Sequence, residues 1–154
     1  MYDRILVPVD GSPTSDRGLA EAIKLAKLTG ARLLLLHAVD LAALSVTPEA
    51  GAATASLYEA LRESGEQILA RAKDNASNAG IAAETVLADT LAGRVSDLVV
   101  DQATQWHADL IVIGTHGRRG VGRFLLGSDA EQIVRTAPVP VLLVRASDRS
   151  KQAG

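Results

Sequence analysis

"ARLLLLHA", residues 31–38, is an apolar run in which hydrophobic and polar positions do not alternate. A strand with one wet face alternates. A strand apolar on both faces belongs in the middle of a parallel sheet, covered by helices on each side. The flanking segments have the periods such a sheet needs. Upstream, RILVPV (4–9) is a short β-rich run ending at Asp10-Gly11. Pro8 has no backbone N–H for a ladder, so it is expected near the strand's end, where a neighbouring strand leaves that position free. Ser12-Pro13 reads as an N-cap followed by the first helical residue. Leu19, Ala22, Ile23 and Ala26 then recur at helical spacing, and Gly30 supplies the stop. Gly18 is an oddity inside that helix, where glycine costs about 1 kcal/mol relative to alanine.

Downstream of the run, residues 40–55 are Ala-rich and weakly patterned, and read as a loop with some helical character. Leu57, Leu61, Ile68, Leu69 and Ala72 share one stripe of a helix over 57–79, closed by Asn78 and Gly80. A strand at 82–88, a helix near 91–105 carrying Val95, Leu98, Val99 and Ala103, and the strand ADLIVIG (108–114) follow. A short helix opens at Gly127-Ser128, and PVPVLLVR (138–145) forms the last strand. The expected organisation is one domain over 1–146 with a polar tail at 147–154. Strands alternating with helices make an α/β fold with a mostly parallel sheet, and right-handed crossovers put helices on both faces. Ligands in such sheets bind beyond the carboxyl ends of the strands, where strand order reverses. Asp10, the segment His37–Asp40 and everything from Gly114 onward lie just past strand ends.

Composition narrows the function. The chain has 154 residues, 47% of them hydrophobic and 22% charged, with a single Phe and a single Trp. At this length roughly 70% of the unfolded surface can be buried, so an aliphatic two-sided core is available. A net charge of -2 supplies no electrostatic reason to bind nucleic acid or an anionic membrane. The absence of cysteine rules out disulfides, thiolate nucleophiles and sulfur-ligated metals. With neither a leader pattern nor an apolar stretch of about 18 residues, a cytosolic location is expected.

The chemistry concentrates in GTHGRRGVGRFLLGS (114–128), which holds five glycines and three arginines. Glycine lets backbone turn tightly and approach a ligand closely, and successive bare N–H groups can form a nest for an anion. Ser128 is expected to cap the following helix, whose amino terminus favours negative charge. Arg118, Arg119 and Arg123 add positive charge in a shape suited to phosphate. An exposed loop with an ordinary Gly-Ser helix start has the same composition, so the residues alone leave both readings open. The P-loop spacing G-x-x-x-x-G-K-[ST] is absent, and the first turn, VDGSPTS, lacks the dinucleotide fingerprint.

Gly114, two residues, Gly117, nine residues and Gly127-Ser128 resemble the ATP-binding signature of the universal stress protein family, G-2x-G-9x-G-[S/T]. The opening ILVPVDGS resembles that family's first strand and turn, and the closing APVPVLLVR its last strand. The resemblance spans residues 2–146. It implies an open five-stranded parallel sheet in the order 3-2-1-4-5, an adenine nucleotide (ATP, with Mg²⁺ assisted by Ser128) as ligand, and a homodimer formed through the last strand. It places Asp10 at the adenine or ribose, the backbone of Val39 at the adenine edge, and Ile113 and Gly114 at the ribose. Gly117, Gly127 and Ser128 would surround the phosphates, and Pro8, Val9 and Gly11 would wall the base. Where the family often has an apolar residue after the Gly-Ser pair, this chain has Asp129, an acid suited to the helix dipole but opposed to a triphosphate if it faces the pocket.

Individual residues keep two readings. Asp10 meets a ribose, or accepts N–H bonds within its own turn. His116 touches phosphate or faces solvent, His37 satisfies a hydrogen bond at its strand end, and His107 is surface. No Ser–His–acid elbow or H-E-x-x-H pair is present, and no general base is evident. The expected function is a cytosolic, homodimeric, ATP-binding stress-response or regulatory protein acting through an unidentified protein partner. A slow ATPase using the same pocket and a dimeric module without nucleotide are the alternatives.

Overall fold

The computed structural model describes residues 1–41, 51–90, 93–115 and 127–145. Among the described residues nine elements follow one another: β1 (Arg4–Pro8), α1 (Pro13–Thr29), β2 (Arg32–Asp40), α2 (Gly51–Asn78), β3 (Ala83–Thr90), α3 (Val95–Gln105), β4 (Leu110–Thr115), α4 (Ser128–Thr136) and β5 (Val141–Arg145). The five strands form one sheet in the order β3-β2-β1-β4-β5, and every pairing is parallel.

The unalternating apolar runs are explained by the two cores. On one face Ile5, Val7, Leu33, Leu35, Leu110 and Val112 pack with Leu19, Ala22 and Ala26 of α1 and Leu69, Ala72 and Ala76 of α2. On the other, Leu6, Leu34, Leu36, Ile111 and Ile113 pack with Val99 and Ala103 of α3 and Ala130 and Ile133 of α4. Alternate residues of each central strand therefore enter opposite cores, and each fully buried Leu or Ile is worth about 1.5–3 kcal/mol.

The helix ends follow local chemistry. In α1 the Ser12 hydroxyl accepts the Ser15 N–H at 3.1 Å, and Gly30, at φ 79°, closes the helix with its own N–H on the Ala26 carbonyl. Gly18 answers a close approach of α1 to β4. A Cβ there would lie 2.7 Å from the Gly114 nitrogen, and a Cβ at Gly114 would run into the Thr14 carbonyl. The two glycines let helix and strand backbones touch.

Several boundaries differ from the sequence reading, β3 ending at Thr90 rather than 88 and β4 starting at Leu110 rather than 108 among them. α2 starts at Gly51 rather than 57, because an alanine-rich stretch is helical by propensity without needing an apolar stripe. β2 runs on to Asp40, paired with β3 through Asp40–Thr90. α3 starts at Val95 rather than 91, with extended Arg94 before it. β5 begins at Val141 rather than 138, since Pro138 and Pro140 have no N–H to contribute; Pro140 takes part only through its carbonyl, which accepts the Ile111 N–H. Among the described residues no helix is long and apolar enough to cross a membrane.

Candidate functional site

β1 is the strand at which the order reverses, with β2 on one side and β4 on the other. Its pairing with β2 continues to Pro8–Leu36, and the Val9 N–H still donates to the Leu36 carbonyl at 2.8 Å. Its pairing with β4 covers only Ile5–Leu110 and Leu6–Ile111. Hydrogen bonding alternates sides along a parallel strand, so odd residues of β1 face β2 and even residues face β4. The next rung toward β4 would need an N–H at position 8, and Pro8 has none. The ladder stops there and the strands part.

A cleft of about 370 Å³ opens at that parting, within the usual range of about 300–1,000 Å³ for small-molecule pockets. Its walls include Pro8, Val9, Leu36, Ala38, Val95, Val99, Ile113 and Ile133, an apolar surface drawn from both sides of the reversal. Its polar end is built by two helix amino termini. Ser12, Thr14 and Ser15 come from the start of α1, and Gly127, Ser128 and Asp129 from the start of α4. The close packing of Gly18 and Gly114 holds the first of these against the end of β4.

The two termini differ in how they are satisfied. α1 is capped by Ser12. α4 has Gly127 as its N-cap (φ -54°, ψ 149°), with no side-chain capping bond. Ser128 is thus the first helical residue and does not act as the cap expected from the sequence, because the extended backbone of the cap falls on the glycine before it. The Glu131 N–H reaches the Gly127 carbonyl at 3.0 Å, and among the described residues no neighbour lies within 4 Å of a Cβ placed on Gly127. Uncapped first-turn N–H groups beside open space are a fit for a phosphate.

Of the expected site residues, Pro8, Val9, Asp10, Ile113, Gly114, Gly127, Ser128 and Asp129 line the cleft, whereas Gly11 and Val39 do not. Gly11 turns at φ 80° against Ile68 of α2. Val39 is 2% exposed. Its parity directs its backbone toward β3, where the Thr90 hydroxyl donates to its carbonyl at 3.3 Å. Ala38 is the β2 residue presented to the opening. His116, Gly117, Arg118 and Arg119 lie outside the described residues. The Asp10 carboxylate accepts the Ser12 N–H at 2.8 Å, and the Asp10 N–H donates to the Ser15 hydroxyl at 3.1 Å. That is the local turn role of an aspartate, made at the cleft's edge.

His37 also lines the cleft. Its Nδ1 lies 2.7 Å from the Val9 carbonyl, so Nδ1 carries the proton and donates. The ring packs against α2 at Gly65, where a Cβ would come within 2.7 Å of it. The hydrogen-bonding role expected of this histidine is thereby met. The sequence reading did not place Thr14, Ser15 or Val95 in the cleft. Thr14 and Ser15 could have been suspected from the first turn of α1, but Val95 depends on how α3 packs on α4 and β2.

The ionisable side chains among the described lining residues are Asp10, His37 and Asp129, with no Lys or Arg. No group of three His, Asp or Glu among the described residues could hold a metal. A divalent cation here would therefore share its coordination with a ligand's own oxygens.

Comparison with known proteins agrees with this architecture. The family model described as the universal stress protein family matches residues 1–145. A universal stress protein of Thermus aquaticus is 37% identical over 148 residues, covering 94% of this chain and 100% of that one. The crystal structure of a family member from Burkholderia pseudomallei superposes with a TM-score of 0.78 at 32% identity, covering 94% of this chain and 97% of that one. A universal stress protein solved in complex with cAMP matches with a TM-score of 0.63 at 27% identity, over 95% of this chain and 98% of that one. An AMP-bound Arabidopsis thaliana protein (TM-score 0.69, 16% identity, 98% and 96% covered) and a dAMP complex from Archaeoglobus fulgidus (0.64, 23%, 93% and 98%) share the fold. The glycine spacing, the strand order reversing at β1 and the match along nearly the full length lead to one assignment: this chain belongs to the universal stress protein family.

Proposed function

We propose that the cleft binds an adenine nucleotide, ATP with Mg²⁺ foremost, and that the chain works as a cytosolic homodimer whose nucleotide state regulates a stress response through a protein partner. The observation that carries this reading is the meeting of two helix amino termini, one of them uncapped, beside an apolar wall at the reversal of strand order. The base fits the apolar side, near Val9, Leu36 and Ala38. The ribose hydroxyls face Asp10. The phosphates take the amides of Gly127 and Ser128, and His116, Gly117, Arg118 and Arg119, outside the described residues, are the further phosphate contacts that the glycine signature suggests. The cation would neutralise phosphate charge, with the Ser128 hydroxyl assisting in holding it. The cAMP complex of a relative at 27% identity supports the class of ligand.

The dimer reading rests on β5. It is an edge strand whose Leu142 and Leu143 are each 36% exposed. An apolar edge invites pairing, and a two-fold partner strand removes the hazard. Sedimentation of wild type against Leu143→Glu tests it, with a dimer expected for the first and a monomer for the second; a wild-type monomer overturns it.

Isothermal titration with Mg-ATP at physiological salt tests the nucleotide. Saturable heat is expected, and ligand at about 100 times Kd adds about 2.7 kcal/mol of stability, or roughly 5–10 °C in melting temperature. Neither heat nor a thermal shift at millimolar nucleotide refutes the reading.

A further inference from the structure

We propose that His37 is a positioning residue: by holding the Val9 carbonyl it stops the β1–β2 ladder one rung short and leaves the Ala38 N–H to an acceptor atom of the base in the cleft. What concerns the base rests on the adenine-nucleotide reading above, whereas what concerns the ladder stands apart from it.

Two N–H groups are candidates for the Val9 carbonyl. β1 and β2 pair from Arg4–Arg32 to Pro8–Leu36, and the Val9 N–H donates to the Leu36 carbonyl at 2.8 Å. Along a parallel strand the backbone groups alternate sides, so those of Ala38, two residues beyond Leu36, face β1 as those of Leu36 do. The next rung would join the Ala38 N–H to the Val9 carbonyl. That rung is not formed, since the register ends at Pro8–Leu36. His37 Nδ1 holds the carbonyl instead, at 2.7 Å. Val9 is buried, and a buried carbonyl needs a donor. A side chain has taken the bond that the neighbouring strand would have made.

The packing around the ring keeps it in this role. Odd positions of β2 enter the core shared with α1 and α2, as Leu33 and Leu35 do, which puts His37 on that face. α2 presents Gly65 to the ring, where a Cβ would stand 2.7 Å from Cδ2 and 3.2 Å from Nε2 of the imidazole, and 2.8 Å from Cδ1 of Leu87. Glycine there gives the ring its place between α2 and the end of β1. His37 and Ala38 both line the cleft with Pro8 and Val9, so the amide left over from the ladder lies at the wall against which the base is placed.

The experiment measures amide hydrogen exchange by NMR, residue by residue, in wild type, His37→Leu and His37→Asn, with calorimetric titration of Mg-ATP into each. Leucine fills a similar space without a donor, whereas asparagine carries an N–H at the depth of Nδ1. Without nucleotide, the Ala38 amide of His37→Leu exchanges at least about tenfold more slowly than in wild type, because the Val9 carbonyl recruits it into a further rung. Mere loss of structure would speed that exchange. His37→Asn keeps the wild-type rate to within about threefold. Affinity for ATP falls roughly tenfold in His37→Leu and less than about threefold in His37→Asn. The inference is overturned if the Ala38 amide of His37→Leu exchanges at the wild-type rate or faster, or if the asparagine variant behaves as the leucine one does. If ATP binds wild type and His37→Leu equally well, the role of the Ala38 N–H in binding has failed. If the exchange rates are as expected and wild type binds no nucleotide, the ladder role of His37 is upheld and the reading of the cleft has failed.

Discussion

Replacing Gly18 with alanine puts two effects of known sign against each other. In the interior of an unconstrained helix the change gains about 1 kcal/mol, because alanine loses less backbone entropy. In α1 the new Cβ would stand 2.7 Å from the Gly114 nitrogen and 3.2 Å from its Cα. Overpacking of this kind costs about 1–3 kcal/mol. The upper half of that range applies, since the obstacle is the backbone of a buried strand and not the flexible tip of a side chain. The net expectation is a loss of about 1–2 kcal/mol, or a fall of roughly 2–8 °C in melting temperature. Urea unfolding and calorimetry measure it. Gly51→Ala, at the first residue of α2 with no described residue within 4 Å of the added Cβ, is the matched control and should stay within about 0.5 kcal/mol of wild type. A Gly18→Ala protein about 1 kcal/mol more stable than wild type would refute the close approach, and with it the account of how α1 is held at the cleft.

Other changes test other parts of the structure. Tyr58→Phe removes the hydroxyl that donates to Asp89 at 2.6 Å and leaves that carboxylate, among the described residues, with Arg62 at 3.6 Å; a loss of about 1–3 kcal/mol by denaturant titration is expected. The Arg62 guanidinium is held above its ordinary pKa, first by its hydrogen bond to Tyr58. A raised cationic group stabilises below its unfolded value and loses that contribution only as pH rises through the folded one, so this cluster should not bend the stability profile near neutrality. Asp109→Ala deletes the carboxylate that accepts the Asp3 N–H at 2.8 Å and the Arg4 N–H at 3.2 Å; it should cost about 1–2 kcal/mol without changing nucleotide affinity. Gly127→Ser supplies α4 with the capping hydroxyl it lacks. Stability should rise by a few tenths of a kcal/mol, while nucleotide affinity measured by titration falls, because the hydroxyl occupies an amide the phosphate needs.

The order and type of the elements were readable because each central strand is apolar on both faces and each helix carries a stripe, both local properties of the chain. The strand order came from the resemblance carried by Gly114, Gly117, Gly127 and Ser128, since periodicity does not report which strands are neighbours. What escaped the sequence depends on contacts between distant segments. Gly18 looked like a defect until Gly114 was found against it, ninety-six positions away. Val39 was expected at the base, but the register with β3 turns its backbone away and presents Ala38. Ser128 looked like a cap because serine favours that role, yet the backbone gives the role to Gly127. The Tyr58–Asp89–Arg62 cluster joins α2 to the end of β3, a pairing that no spacing in the chain signals.

The parting of β1 from β4 has a consequence for how the opening could be lost. Where the β1–β4 pairing ends, the donor that the next rung needs is missing at Pro8. Any other residue there would restore the N–H and offer the carbonyl of Val112 a partner, so the sheet could zip one step further and draw its two halves together. A chain altered in that way would trade an empty furrow for a longer seam, becoming sturdier as it became less able to admit a guest.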